Sequence, residues 1–468
     1  MAHQDQGRCG AHELQRALRW LLPVVSLTPL PLRKSCTWTT QQLAAVGLLW
    51  AWSDEPTLVE RFATARQIIC QRPVGQPEPA TSYQAFTKLL RKWTEPLRQQ
   101  LSALFRAKMV DKLGAVWKVG RWLVFACDGS RVDVPRTRGN EHRYSPQSKL
   151  SRAAQKRRHA RRRVRRRVRQ EDRERKANIP RIWLTVLWHV GSGLPWAWRT
   201  GPSDSSERAH LQEMLSELPE NSLLTADAGF VGYDLWTSIL SAGQSLLVRV
   251  GGNVRLLKKL GYVREHAGLV YLWPDAVAQR DQPPLVLRLI VAHNGRQPVY
   301  LVTNVNSTAE LSDAEAIAIY RRRWGIELFY RNCKQTFERR KLRSHSPDNA
   351  LVELEWSLLG MWAMGLYAQA RLVPQEVPPE RISFVGVLRA FRRPMREYRC
   401  ACQPGRRLHD LLDRAILDDY QRTDKTSRDY PRKKQTTAAG PPRIQLATQA
   451  QVQLAQDIKH QPPRRLTA

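Results

Sequence analysis

The spacing of apolar residues divides the chain into helical and strand-like stretches. Residues 1–115 have mostly helical spacing, and no strand pattern interrupts it. Apolar periodicity predicts helices over Gln41–Trp52, Glu60–Gln71 and Ser82–Lys108. The first quarter of the chain is therefore expected to be a helical region.

Short apolar runs after Trp117 indicate strands. Trp122–Cys127 ends at Asp128, and Ser222–Ala226 ends at Asp227, as buried strands do when they reach an active-site edge. An Asp after a strand is more often only a turn or cap residue, so neither carboxylate is diagnostic alone. Between the two runs, the sequence predicts a hairpin of Arg181–Val190 with Pro195–Arg199 and a helix over Ser205–Leu218.

The second half of the chain begins with further strands and ends in a polar tail. Leu246–Val305 alternates strand-like segments with turns such as Asn294-Gly295, which predicts an all-β segment. Helical spacing returns over Leu351–Leu372 and Phe384–Phe391. From about Asp418 the chain is polar and basic, and we expect it to be disordered or to order only on a partner.

One stretch, residues 314–334, carries the least common arrangement of polar side chains. Read as a single amphipathic helix, it places Tyr320, Arg323, Glu327 and Lys334 within a sector about 60° wide. Scattered charges on a surface helix would need no such order. A carboxylate flanked by cations suits a site that holds a metal beside a phosphate backbone.

The charge of the chain points to a polyanionic partner. The formal net charge is +34, and residues 149–176 account for +12 of it, so the remainder is also basic. Such a field attracts nucleic acid at long range. The Arg-rich run 156–169 is suited to neutralising phosphates and not to reading sequence. Its predicted DNA contacts are Arg161, Arg162, Arg163, Arg165, Arg166 and Arg167.

Cysteine usage and hydropathy argue against several protein classes. The seven Cys form no CxxC pair and have no matching His spacing, which disfavours a zinc module and a disulfide framework. No apolar run reaches the roughly 18–20 residues that a membrane span needs. We therefore expect an unprocessed, soluble protein with reduced thiols in the cytoplasm.

The motifs together resemble the DDE transposases of bacterial insertion sequences. The resemblance rests on Asp128-Gly129-Ser130, on Asp227-Ala228-Gly229-Phe230 and on the signature Tyr-x2-Arg-x3-Glu-x6-Lys that ends at Lys334. It implies an α/β fold with a ribonuclease H-like catalytic core, a β-strand insertion and flanking helical regions. The expected divisions are a helical N-terminal domain (1–115), the first part of the core (116–240), the insertion (241–310), the second part of the core (311–375) and a C-terminal helical region with a disordered basic tail (376–468).

The same resemblance implies a chemistry for the site. Asp128, Asp227 and Glu327 would hold two Mg²⁺ ions, for which Mn²⁺ is expected to substitute, and would cleave DNA and transfer its strands. Asp128 would bridge both ions. The partners implied are double-stranded DNA, at the element ends and the target, and a second copy of the chain, in a bacterial cytoplasm near the nucleoid. The residues expected to grip flanking phosphates are Tyr320, Arg323 and Lys334.

Other interpretations stay open at this point. Asp133 and Asp234 compete for the carboxylate positions, but both rank second, because Asp133 is expected past a strand end and Asp234 inside the next helix. The N-terminal helices suit DNA-end binding and simple packing about equally. The whole protein could also be a nuclease on the same fold, or a DNA-binding relic without catalysis.

The Arg-rich run yields a prediction about salt dependence. Changing Arg161, Arg162 and Arg163 together to Ala should weaken DNA binding on every sequence, because phosphate contacts carry no sequence information. The slope of log Kd against log salt concentration should also flatten, by nearly one unit for each phosphate that the variant no longer neutralises. Fluorescence anisotropy at several salt concentrations measures both effects. An unchanged slope would mean that the run does not touch phosphate.

Overall fold

A single mixed sheet of ten strands runs through the residues that the computed structural model describes, namely 10–70, 78–146, 179–293, 298–401, 403, 405–417 and 440–460. The strands are β1 (Val124–Asp133), β2 (Arg181–His189), β3 (Leu194–Gly201), β4 (Leu223–Ala226), β5 (Ser245–Val250), β6 (Arg255–Lys258), β7 (Leu269–Leu272), β8 (Leu285–His293), β9 (Pro298–Thr303) and β10 (Arg443–Leu446). Their order across the sheet is β10-β6-β7-β8-β9-β5-β4-β1-β2-β3.

Fourteen α-helices accompany the sheet within those residues. They are α1 (Gly10–Leu21), α2 (Thr40–Trp52), α3 (Leu58–Cys70), α4 (Tyr83–Lys112), α5 (Arg138–Tyr144), α6 (Glu207–Met214), α7 (Tyr233–Ser241), α8 (Asp275–Ala278), α9 (Asp313–Arg322), α10 (Gly325–Arg331), α11 (Pro347–Leu372), α12 (Phe384–Arg396), α13 (Leu408–Asp413) and α14 (Gln449–His460). None of these helices combines the length and the apolar character needed to cross a bilayer.

The first five strands have the ribonuclease H-like arrangement that the sequence predicts. β1, β2 and β3 are successively antiparallel, and β4 and β5 follow on the other side of β1 as parallel neighbours. The fold class is thus α/β with a ribonuclease H-like core. β4 is buried along its whole length, as its apolar run requires.

The strand that carries Asp128 is longer than predicted. The sequence interpretation ended it at Cys127, but β1 pairs with β2 from Phe125 opposite His189 to Asp133 opposite Arg181. Pairing with β2 keeps the polar half of β1 extended, so Asp128 lies within the strand and not at its end. Asp133, expected beyond a strand end, is its last residue and accepts a hydrogen bond from Arg181 Nε (2.8 Å).

The interpretation of residues 314–334 as one α-helix is wrong. α9 begins with a capping box between Ser312 and Glu315 and ends at Arg322. The amides of Arg323 and Trp324 then bond to carbonyls three residues back, which tightens the turn before α10 begins. A π-helical turn, Asn332–Thr336, follows α10. Rotation at 100° per residue therefore does not hold across the whole stretch.

Gly325 allows α10 to pack closely against the sheet. A Cβ atom on Gly325 would lie 2.0 Å from Cη2 of Trp188, so only a residue without a side chain lets this ring pack under the first turn of α10. The hydroxyl of Tyr330, near the other end of α10, donates to the backbone oxygen of Asp128 (2.7 Å). α10 is thus held at both ends against the strands β1 and β2.

The strands of residues 241–310 extend the sheet of the core. β5 pairs with β4, and β9 pairs with β5, so the β-rich stretch continues the core sheet without a break. The short helix α8 interrupts the strands, so the stretch is not purely β. The predicted Asn294-Gly295 turn lies outside the described residues.

The expectation of a disordered tail is wrong for residues 440–460. β10 pairs in parallel with β6 over Arg443–Leu446, and the side-chain Nε2 of Gln456 in α14 donates to the backbone oxygen of Gly261 (2.7 Å). α14 also buries Ala455 and Ile458. Edge-strand pairing and a small apolar face give this polar segment a fixed place.

The N-terminal helices are confirmed, and they pack on the C-terminal half of the chain. Nε1 of Trp52 in α2 donates to the backbone oxygen of Gly360 (2.9 Å), and Nε1 of Trp356 donates to Oγ1 of Thr94 in α4 (2.9 Å). Both Gly360 and Trp356 belong to the long buried helix α11. These hydrogen bonds hold the N-terminal helices α2 and α4 against α11.

A buried carboxylate joins this helical layer to the sheet. Oε2 of Glu355 in α11 accepts a hydrogen bond from Nε1 of Trp198 in β3 (2.7 Å), and Arg98 of α4 lies 3.8 Å away. Burial raises the pKa of Glu355 from 4.5 to about 7, although the charge of Arg98 acts in the opposite direction.

The raised pKa of Glu355 predicts a pH-dependent stability. The folded state binds more protons than the unfolded state between about pH 4.5 and 7, so the free energy of unfolding should fall as pH rises through this window. Glu355→Gln should remove most of that fall and stabilise the protein at pH 8 by roughly 1–3 kcal/mol. Urea unfolding of both proteins at pH 5 and pH 8 measures these free energies. Glu95→Gln is the control and should destabilise at pH 8, because Arg98 holds the pKa of Glu95 low against the effect of burial.

The contact beneath α10 yields a second stability prediction. Gly325→Ala should lower the free energy of unfolding by roughly 1–3 kcal/mol, because the new methyl group must displace the ring of Trp188. Gly114→Ala, where a Cβ would meet nothing within 4 Å, should change stability by less than about 0.5 kcal/mol. Denaturant midpoints of both variants compare them. Equal values would mean that the Trp188 ring yields without cost.

Candidate functional site

The pairing of β1 with β4 brings two carboxylates together. Cys127 lies opposite Ala226 in the parallel register, so the next residue on each chain segment is an aspartate. Oδ1 of Asp128 accepts a hydrogen bond from the amide of Gly129 (2.8 Å), and Oδ1 of Asp227 accepts one from the amide of Gly229 (2.7 Å). Each carboxylate is thereby fixed against its own backbone turn.

A buried arginine links the third predicted carboxylate to this edge. Nη2 of Arg323 donates to Oε1 of Glu327 (3.3 Å), and its guanidinium carbon lies 5.4 Å from the centre of the Tyr320 ring. Arg323 is only 5% exposed, yet its Nε has no hydrogen-bond partner among the described residues. A buried guanidinium with a free donor is able to bind a further anion.

The carboxylates act on one another electrostatically. Burial raises the pKa of Asp128 to about 6, and the charges of Asp227 and Glu327 add to the rise against the amide of Gly129 and the charge of Arg323. Burial alone would lower the pKa of Arg323, but Tyr320 and these three carboxylates raise it. The sheet edge and the α9–α10 junction therefore form one electrostatic cluster.

The last residue of the signature contacts the first Asp motif. Nζ of Lys334 donates to Oγ of Ser130 (2.6 Å) from the π-helical turn after α10. Burial lowers the pKa of Lys334, although Cys333, Asp133 and Asp128 oppose the shift. Lys334 is therefore a partly buried cation beside β1 and not a freely exposed one.

Two charged residues at this site escaped the sequence interpretation. Glu207, the first residue of α6, lies near both aspartates, and burial together with their charges raises its pKa. Arg249 of β5 lies close enough to Tyr320 to oppose the rise that burial causes in the pKa of that phenol. The sequence did offer a sign that Arg249 is unusual, because this residue interrupts the apolar run Leu246–Val250. The sequence offered no such sign for Glu207, because a Glu near a capping Ser is ordinary at the start of a helix.

The remaining predicted residues lie either apart from the cluster or outside the described residues. Asp133 is paired with Arg181, and Asp234 lies in α7 as expected. The predicted DNA contacts Arg161, Arg162, Arg163, Arg165, Arg166 and Arg167 lie outside the described residues.

The donor set fits a hard divalent cation, although its members do not converge in this conformation. Within the described part of the chain, no three acidic, histidine or cysteine side chains lie close enough together to hold a metal ion. Glu327 is engaged by Arg323 instead. The donors of the predicted site are carboxylate oxygens, which Mg²⁺ prefers.

Comparisons with known proteins agree with this description. Residues 123–362 match the family model described as the transposase DDE domain. Over 202 residues the chain is 26% identical to the transposase InsG for insertion sequence element IS4 of Escherichia coli (strain K12), an alignment that covers 41% of this chain and 45% of that protein. The chain thus spans less than half the length of this relative.

Among solved structures, the chain is similar to piggyBac transposase in its synaptic complex with hairpin DNA, with a TM-score of 0.39 and 12% identity over 90% of this chain and 86% of that chain. The family model is the more informative match, because it covers over half of the 468 residues and includes every residue of the cluster. The chain belongs to the DDE transposase family.

Proposed function

We propose that this protein is a DNA transposase that binds the ends of its mobile element, cleaves them with divalent metal ions and transfers the strands to target DNA. The observation that carries the proposal is the β1–β4 register, which sets Asp128 beside Asp227 within electrostatic reach of Glu327. Family membership and the likeness to the IS4 transposase support the same activity.

In this proposal three carboxylates hold the metal. Asp128, Asp227 and Glu327 would bind two Mg²⁺ ions, with Mn²⁺ able to substitute, and bound ions supply activation of the attacking oxygen and stabilisation of the leaving oxygen. The Asp128 and Asp227 carboxylates are already oriented by the amides of Gly129 and Gly229. Glu327 would have to leave Arg323 to join them.

The cations of the signature would bind the DNA backbone. The free Nε of the buried Arg323 suits one phosphate oxygen, and Tyr320 stacks beneath that guanidinium and limits its motion. Lys334 would stabilise charge near Ser130, and the Arg-rich run 156–169 would neutralise phosphates farther along the duplex. A homodimer that holds two element ends is part of the proposal.

The decisive variant removes a metal ligand and keeps the shape of the side chain. Glu327→Gln should abolish cleavage in Mg²⁺ while DNA affinity stays within about a few-fold, because the change removes a ligand charge and no phosphate contact. A labelled duplex that carries the element's own ends reports nicking and joining on a gel, and anisotropy reports binding. An equal loss of binding would refute the catalytic assignment of Glu327.

The control and the products separate the competing functions. Glu376→Gln changes an exposed carboxylate on a surface turn outside the cluster and should leave cleavage unchanged. Cleaved but unjoined wild-type products would indicate a nuclease on the same fold. Tight binding without any cleavage by the wild type would indicate a DNA-binding relic.

A further inference from the structure

Four arginines surround the end of α2 and the turn that joins it to α3. One lies in α3, one in α12 and two in the segment between the π-helical turn and α11. Each of them donates a hydrogen bond to a backbone oxygen of this region: Arg339 to Ala51, Arg392 to Trp52, Arg61 to Glu55 and Arg343 to Pro56. Backbone oxygens carry no full charge, so these bonds do not balance the charges of this arginine cluster.

Arg61 is the most deeply buried member of the arginine cluster. Its residue is 0% exposed, and Nη1 and Nη2 both lack a hydrogen-bond partner among the described residues. A guanidinium stays charged in proteins, and burying it without a charged partner is strongly unfavourable. Its planar fork matches two oxygens of one anion. The free fork of Arg61 is therefore suited to binding an anion from solution.

The charges around Arg61 repel its guanidinium more than they attract it. Burial lowers the pKa of Arg61, and the charges of Arg339, Arg343 and Arg392 act in the same direction, so that this pKa falls to about 9. The charge of Glu353 opposes the shift. An anion placed among the guanidinium groups would offset this repulsion.

The carboxylate of Glu353 is engaged by other groups. Its oxygens accept hydrogen bonds from the backbone amides of Arg343 (3.1 and 3.0 Å) and Ser344 (2.9 Å), and from Oγ of Ser344 (2.8 Å). Neither oxygen is bonded to Nη1 or Nη2 of Arg61. Glu353 therefore fixes the backbone that leads into α11 and does not neutralise Arg61 directly.

The arginine cluster extends from the interior to the surface. Arg392 is half-buried, and Arg343 is exposed, with Glu338 lying 3.7 Å from its guanidinium. Small ions therefore have access to the cluster. The Nη atoms of Arg61, in contrast, are completely enclosed and out of reach of a DNA duplex. The ligand that fits is a free oxyanion and not a phosphate of the DNA backbone.

We infer that the arginine cluster binds a small free oxyanion of the phosphate class, with the fork of Arg61 holding two of its oxygens. The bound anion would link α3 to α12 and to the segment that precedes α11. It would thereby attach the N-terminal helical region to the chain that follows the signature residues. This site shares no residue with the carboxylate cluster and does not depend on the proposed function.

Binding of inorganic phosphate to the full chain tests this inference. Equilibrium dialysis with radiolabelled phosphate is performed in the presence of saturating duplex DNA, which occupies the exposed basic surfaces. Arg61→Met should weaken phosphate binding by roughly 10- to 100-fold, because hydrogen bonds between charged groups are lost. Arg66→Met is the control, because Arg66 lies on the same helix and is already bonded to Pro79 and Glu78, so its phosphate affinity should equal that of the wild type.

Thermal unfolding separates an anion site from a purely structural arginine. Arg61→Met also loses the bond from Nε to Glu55, so the readout is the gain in melting temperature when phosphate replaces chloride at constant ionic strength. The wild type and Arg66→Met should show this gain, and Arg61→Met should not. Should the Met variant not fold, Arg61→Lys keeps the charge without the fork and should also weaken phosphate binding.

Three outcomes would overturn the inference. An equal gain in melting temperature for the wild type and Arg61→Met would mean that the phosphate acts elsewhere. A wild type that neither binds phosphate nor gains stability from it would show that the fork holds no oxyanion. Release of the bound phosphate by duplex DNA would assign the arginine cluster to the DNA backbone instead of a free anion.

Discussion

Repulsion between carboxylates at one sheet edge is the constraint on which the site depends. The parallel pairing of β1 with β4 forces Asp128 and Asp227 together, and the buried position of this edge reduces the screening that water provides. The chain offsets part of the repulsion with amide hydrogen bonds to each aspartate and with one buried guanidinium, that of Arg323. Burial and the neighbouring carboxylates still raise the pKa of Asp128 to about 6, so the Asp128 carboxylate takes up a proton at a higher pH than an exposed aspartate does.

The packing around α10 fixes the position of this helix relative to the sheet edge that carries the aspartates. Trp188 fixes the start of the helix through its contact with Gly325, and Tyr330 fixes its end through the backbone of Asp128. The tightened turn before α10 and the π-helical turn after it position Arg323 near the carboxylates and Lys334 against Ser130. An uninterrupted α-helix would place all signature residues along one straight face.

The sequence could predict the elements whose signals are local. Apolar runs identified the core strands. Once the order of strands and helix was recognised, that order predicted that the aspartates following two of these strands lie close together. The break in the signature helix, the extension of β1 and the ordering of residues 440–460 depend on partners distant in sequence, namely Trp188, β2 and β6. Glu207 was missed for the same reason, because its orientation follows from space left by two glycines on other elements.

Under the proposed function, the ion pair between Arg323 and Glu327 links metal binding to DNA binding. Each partner of this pair has a second use, since Glu327 would bind metal and Arg323 would bind phosphate. Metal that attracts Glu327 would free Nη2 of Arg323 for a second contact to DNA beside its Nε, and phosphate that engages Nη2 would free the carboxylate for metal. Binding free energies that share one exchanged contact are coupled reciprocally, so DNA and metal would each increase affinity for the other. The ion pair would then hold the site inactive until both ligands are present.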